Sequence, residues 1–434
     1  MNAIDSGIPL IDLSPWLTDV SRVQRTTLGT LSAAQVLGGI AIAGSIPAGA
    51  LIAASLDGDG AAGLAATSGV LGAAIVALPL ARLALSRGRR ISISTGYATG
   101  AIGALVVIAG GVHQSTALVL IGCLFVGAAS AAGYQARYGA IDLAVPGRRA
   151  RALSIVVWAT TLGAVLGPNL LEVSGNVALA LGLPQLTGAY LLAFAVLALA
   201  VLLLMTLLRP DPYLLSRALA DQASGTVAAT PRLRDGLTHL RGHRLAVLGV
   251  ISLSIGHVVM VMVMVMTPVH MSHVDISLQL IGLVISVHVL GMYALSPVVG
   301  WLVDRIGRVP MLMVGAVVLL VACLVSALVP ANSVVGLGIG LFLLGLGWSC
   351  TLIAGSTLLT EQVEQADRPS VQGLADLVMN VAGALGGVIA GIIVLKSSYT
   401  VLCLAAIVPV LVLAALCLPW LRRRPAAPAE LITT

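Results

Sequence analysis

Gly300-Trp-Leu-Val-Asp304-Arg305-Ile-Gly307-Arg308 is the stretch from which the rest of the chain can be read. It is a short charged turn between two apolar runs, 277–302 and 311–329. One glycine lets two helices close up, and a second permits a tight turn. An aspartate here can sit at the positive end of a neighbouring helix and latch one conformation. The arginines can meet acidic groups or lipid phosphate. A loop that only obeyed charge topology would need neither Asp304 nor both glycines.

Outward from this turn the chain is strongly apolar. Its 434 residues are 59% hydrophobic and only 9% charged, with a mean hydropathy of +1.06. Soluble domains carry about 25% charged residues, so the composition indicates a polytopic membrane protein. Twelve spans are expected, at 27–55, 61–85, 91–110, 115–140, 152–172, 187–208, 244–268, 277–302, 311–329, 334–358, 370–395 and 398–421. Helices are the expected form, because lipid leaves the backbone no other partner outside a closed barrel, and the runs are too long for barrel strands. With both termini cytoplasmic, Lys396 is the only one of the 23 basic residues on the outer side. The positive-inside rule thus orients the chain in the cytoplasmic membrane and accounts for the net charge of +6. Residues 1–20 lack a basic start followed by an apolar core, so the first span is expected to serve as the targeting signal. Cys123, Cys323, Cys350, Cys403 and Cys417 fall in apolar runs without paired spacing, which suits packing rather than disulfides or zinc.

Residues 209–243 form the one long polar connection and divide six spans from six. The expected organisation is a cytoplasmic tail 1–26, a six-helix bundle 27–208, a cytoplasmic linker 209–243, a second six-helix bundle 244–421 and a cytoplasmic tail 422–434. The halves repeat at an offset near 220: Gly163-Ala-Val-Leu-Gly167 faces Gly383-Ala-Leu-Gly386-Gly387, Pro47 faces Pro268, Arg148 faces Arg368, and Gly88-Arg89-Arg90 faces Gly307-Arg308-Val309. A duplicated six-span unit suggests two pseudo-symmetric bundles that rock about a central site.

The turn at 300–308 resembles the loop signature of the major facilitator superfamily, Gly-x-x-x-Asp-Arg-x-Gly-Arg between the second and third helices of a half. The resemblance covers nearly the whole chain. It implies an all-α membrane protein of twelve helices in two bundles, working by alternating access, with Asp304, Arg305 and Arg308 in the gate. The first-half copy departs from the pattern, since Leu85 stands where the aspartate is expected.

Soft ligands cluster at 257–292. Five of the eleven methionines lie in 260–271 and four of the seven histidines lie in 257–288. Met260 and Met264 share one face of the seventh helix, and His288 and Met292 share one face of the eighth. Helical rise places the two pairs at similar depth, where such carriers bind substrate. Thioether and imidazole groups suit monovalent copper, and His270, Met271 and His273 at the outer mouth could collect it. The pattern is similar to the CcoA-type copper importers, with Met-x-x-x-Met in the seventh helix and His-x-x-x-Met in the eighth. That resemblance implies Met260, Met264, His288 and Met292 as copper-handling residues. A methionine stripe can equally be packing.

Gln35, Gln135 and Asn380 are expected to face the cavity. Arg137 and Asp142 are expected at an inner gate, paired with each other or with the basic loops, and Asp376 in the same layer of the second half. Gly163-Ala-Val-Leu-Gly167-Pro168 resembles the Gly-Pro motif of drug/proton antiporters without its trailing glycine pair. The alternative to copper import is therefore proton-coupled efflux of a drug or small organic solute. There is no P-loop, nucleophile motif or metalloprotease pattern, so neither an enzyme nor ATP drive is expected. The expected partners are the transported solute or metal ion and the lipid bilayer. Nucleic acid and a cofactor are not expected, and the chain is expected to act as a monomer.

Overall fold

The computed structural model describes residues 20–224, 240, 242–272, 274, 276 and 278–421. The tails 1–19 and 422–434, the stretch 225–239, His273 and Asp275 lie outside them. Among the described residues all regular structure is helical: α1 Val20–Asp57, α2 Asp59–Val112, α3 Thr116–Gly139, α4 Arg149–Asn169, α5 Leu171–Ala180, α6 Gly188–Leu207, α7 Pro212–Ser224, α8 Arg244–Ser272, α9 Leu278–Tyr293, α10 Ser296–Ile306, α11 Arg308–Leu328, α12 Val334–Glu361, α13 Arg368–Lys396 and α14 Tyr399–Leu421.

Eleven of the described helical stretches are long and apolar enough to cross a membrane. One of them, Gly63–Val112, is 50 residues long. At 1.5 Å per residue it would reach about 75 Å, more than twice the hydrocarbon thickness. It is broken at Gly88, whose φ of 85° and ψ of 174° turn the chain back. The twelve spans follow.

Two expected spans are interrupted. The fifth ends as α4 at Asn169, just after Pro168, and resumes as α5. The eighth is split between Tyr293 and Ser296, where Pro297 lacks the N–H that would continue the ladder. The polar connection also holds a helix, α7, that Asp211-Pro212 starts.

Lipid gives helices no hydrophobic drive to associate, so close contact rests on small residues. The duplicated glycine motif does this in both halves. An added Cβ on Gly163 would overlap the backbone of Val36 and Gly39, and one on Gly167 would crowd the carbonyl of Ile40, so α4 lies directly on α1. In the second half Gly383 faces the ring of His257 and Gly386 faces Val258 and Met262, seating α13 on α8. The motif that resembles an export signal thus has a packing role. One buried apolar cluster lies within α1–α6. A second fills α8–α14 and extends into the first half at Tyr138, Ile141 and Leu153. All five cysteines are buried and free.

Candidate functional site

One face of α1 carries Gln35, Gly38, Gly39, Ile42 and Ile46 into a central cavity of about 260 Å³. Their spacing of three and four is that of a single helical stripe. Tyr97 of α2, Ser130, Gly133 and Tyr134 of α3, and Thr160 and Ala164 of α4 continue the first-half wall. Met264 of α8 and Val289, Met292 and Tyr293 of α9 close it from the second half. Gln35 is the polar centre. Its Nε2 donates to the Thr160 hydroxyl at 3.0 Å, and the Tyr97 hydroxyl lies 3.4 Å from its Oε1. A Cβ on Gly38 would strike the Tyr97 ring, so that glycine makes room for the phenol. Behind Tyr293, the Trp348 ring meets it edge-on at 5.7 Å and donates Nε1–H to Nδ1 of His257 at 3.2 Å.

Among the described residues no charged side chain lines the cavity. Ion pairs and charge-assisted bonds gather at the end of the molecule that holds Gly88 and Gly307, and several of them join the halves. Arg137 of α3 pairs with Asp376 of α13, both buried, and the guanidinium also lies over Tyr134 and Tyr138. Arg89 pairs with Asp142 at 2.9 Å and also donates to Gln372 of α13. Asp304 accepts the N–H groups of Ala150 and Arg151 at 3.2 and 2.9 Å, capping the positive end of α4. Arg308 reaches Asp304 at 3.4 Å and holds the Glu361 carboxylate at 2.7 and 2.9 Å. Arg305 lies 5.0 Å from the Trp301 ring, at the edge of this layer. From the connection, Tyr213 of α7 donates its hydroxyl to the Ala366 carbonyl at 2.8 Å.

Several expectations need correction. Gln135 and Asn380 are buried but do not line the cavity. Gln135 accepts from Ser92 at 2.9 Å, and Asn380 donates to the Asp376 carbonyl one turn earlier. Arg137 and Asp142 do not pair with each other, because each faces a different helix. Asp142 takes the basic loop through Arg89, and Arg137 crosses to Asp376. The four copper candidates divide. Met264 and Met292 stand on the cavity wall, whereas Met260 and His288 are buried outside the lining. Nδ1 of His288 lies 2.8 Å from the Leu341 carbonyl, and its Nε2 has no partner among the described residues. Of the residues expected at the outer mouth, His270 stacks on Tyr399 at 4.2 Å, and Met271 is buried. Among the described residues no three His, Cys, Asp or Glu side chains converge as a metal set.

The tyrosines are the residues that sequence reasoning missed. Tyr97, Tyr134 and Tyr293 each place a hydroxyl within a predicted span, where a polar tip must find a partner or a cavity.

Comparison with known proteins fits this architecture. The sequence pattern of the Major Facilitator Superfamily matches residues 31–274 and 251–433. The chain belongs to the major facilitator superfamily. It is 40% identical over 386 residues to the uncharacterized MFS-type transporter YdeG of Bacillus subtilis, covering 88% of each chain. It is 26% identical over 377 residues to the riboflavin transporter RfnT of Brucella anthropi, covering 84% of this chain and 87% of that one. The proton:xylose symporter XylE superposes with a TM-score of 0.71 over 92% of this chain and 96% of that one, at 16% identity, which speaks to the fold alone. This multi-pass membrane chain is therefore built as a superfamily transporter of small solutes.

Proposed function

We propose that the chain is a monomeric secondary transporter of the cytoplasmic membrane that carries a small, uncharged organic solute by alternating access. The observation that carries this reading is the lining: one amide, a threonine and a serine hydroxyl, three phenols and two thioethers, with no charge among the described residues. Such a wall stacks and hydrogen-bonds a flat or amphipathic molecule and offers an ion no counter-charge. The volume of about 260 Å³ sits just below the usual ligand-pocket range and favours a small cargo. RfnT, named for a flavin, supports this class.

In this reading the end that holds Gly88 and Gly307 faces the cytoplasm, because the arginines gather there. The bonds of Arg137, Arg89, Asp304 and Tyr213 hold that end shut. Opening it requires the buried Arg137–Asp376 pair to part, so each half must find new partners for a buried charge. The two six-helix units, 27–208 and 244–421, then rock about the cavity while 209–243 spans them.

Copper import remains a second reading, favoured by one observation. A carbonyl can only accept, so Nδ1 of His288 carries the proton and Nε2 presents a buried lone pair without a partner among the described residues. With Met292 one turn on, and Met264 and Met260 on α8, the set would suit monovalent copper as cargo.

Thermal shift of the purified protein separates the two readings, with riboflavin and a panel of uncharged aromatic solutes in one arm and reduced copper in the other. A shift from an uncharged solute that is lost in Gln35→Ala is the expected result. Stabilisation by copper alone, lost in His288→Ala and unchanged in Gln35→Ala, would replace the organic-solute reading with the metal one.

A further inference from the structure

Two hollows outside the central cavity share Arg148 and Arg151. The larger, about 570 Å³, lies between the start of α1, the turn at 143–145 and the start of α4. Its wall is apolar, formed by Leu28, Leu143, Ala152 and Ile155, and its rim carries Arg25, Arg148 and Arg151. The smaller, about 370 Å³, lies between those two arginines and Trp301, Asp304 and Arg305 of α10. Arg25, Arg148, Arg151 and Arg305 are exposed and make no ion pair among the described residues. Asp304, the one carboxylate in either lining among the described residues, is already engaged by Arg308 and by two backbone N–H groups.

We propose that these joined hollows bind one anionic phospholipid, with its phosphate on Arg148 and Arg151 and an acyl chain against Leu28, Leu143 and Ile155. Charge complementarity selects the headgroup, since four guanidinium groups surround a single, already neutralised carboxylate. The apolar wall selects a lipid over a soluble phosphate, which would leave it bare. Trp301 stands half-exposed beside Arg305, as ring and cation do at a membrane–water boundary. Arg148 and Arg151 belong to the first half, and Trp301 and Arg305 to the second. The headgroup compartment therefore exists only while α4 and α10 are together, and an occupied site favours the conformation shut at this end. The inference holds whichever solute is carried.

The test uses the full chain in nanodiscs of phosphatidylcholine mixed with phosphatidylglycerol, transferred to mild detergent for native mass spectrometry. Retained phosphatidylglycerol is expected for wild type, for the charge-conserving pair Arg148→Lys/Arg151→Lys, and for a control pair on the same side, Arg82→Gln/Arg87→Gln. Arg148→Gln/Arg151→Gln is expected to bind it roughly thirtyfold more weakly, from about 1 kcal/mol per basic residue. Equal retention in both glutamine pairs would overturn the proposal. So would displacement by inorganic phosphate as effective as by added phosphatidylglycerol, since the site would then read phosphate from any source.

Discussion

The turns at Gly88 and Gly307 have nearly the same backbone and different chemistry. Gly88 has φ 85° and ψ 174°, and Gly307 has φ 97° and ψ 163°, a region essentially reserved for glycine. At Gly307, Asp304 one turn earlier crosses to the other half and caps α4. At Gly88 the matching position is Leu85, buried and apolar, which can cap nothing. A carboxylate arrives there from elsewhere. Asp211, just after the sixth span, accepts the N–H of Arg90 at 2.7 Å and those of Tyr213 and Leu214 at 3.0 and 3.2 Å. It therefore caps the helix leaving the Gly88 turn and the start of α7 together, and α7 in turn reaches the second half through Tyr213. The duplication has kept the shape of the turn in both halves. The capping carboxylate links the halves directly at one turn; at the other it acts through the connecting helix, beside the direct bond from Arg89 to Gln372 of α13.

Breaking the direct link should have the largest effect. Asp304→Ala leaves two N–H groups of α4 uncapped and takes away one of the two carboxylates on Arg308, which keeps Glu361, with a loss of about 3 kcal/mol from charge-assisted bonds. That moves the ratio of the two end states on the order of a hundredfold, read as a new long distance between spin labels on α4 and α10. Gly88→Ala should come next. It forces a side chain into a glycine-only region at a cost of about 1–3 kcal/mol, and its Cβ would also strike the Asp211 carboxylate. Gly307→Ala bears the backbone cost with only ordinary contacts at Pro310. Thermal unfolding in one detergent should therefore rank Gly88→Ala below Gly307→Ala, and the reverse order would remove Asp211 from the account. Asp211→Ala loses a cap worth about 1 kcal/mol. Faster amide exchange at 89–92 and 213–215, with little change at 149–152, is the expected signature. Tyr213→Phe should be smallest, about 1 kcal/mol for one neutral hydrogen bond, seen as a modest population shift in the same distance measurement.

Much of this contrast could be read before any coordinates. The glycine spacing located both turns, and the positive end of α4 gave Asp304 its partner. The missing carboxylate at Leu85 is plain in the sequence, whereas its substitute lies far along the chain in the connection, at Asp211. The signal was present: Asp211-Pro212 is an N-cap followed by proline in the first helical turn, and Tyr213 and Ser216, three apart, are both buried. The central site was legible in depth but not in rotation. Residue counting puts Gln35, Gln135 and Asn380 at comparable levels, yet only the ridge-and-groove fit of neighbouring helices turns Gln35 inward and the other two aside. The same rotation separates Met264 and Met292 from Met260 and His288. Reading soft ligands by type drew attention away from Tyr97, Tyr134 and Tyr293, whose phenols do line the cavity.

The most direct test of alternating access measures distances across both ends of the same protein in a lipid bilayer. Cysteines for labelling can be placed at exposed Val145 and Ile306 on the Gly307 end, and at exposed Leu186 and Leu395 on the other, since the native cysteines are buried. The account predicts two populations at each end, anticorrelated, with Asp304→Ala shifting the Gly307 end toward the long distance and the far end toward the short one. A single distance at both ends, unmoved by Asp304→Ala in a folded protein, would contradict it.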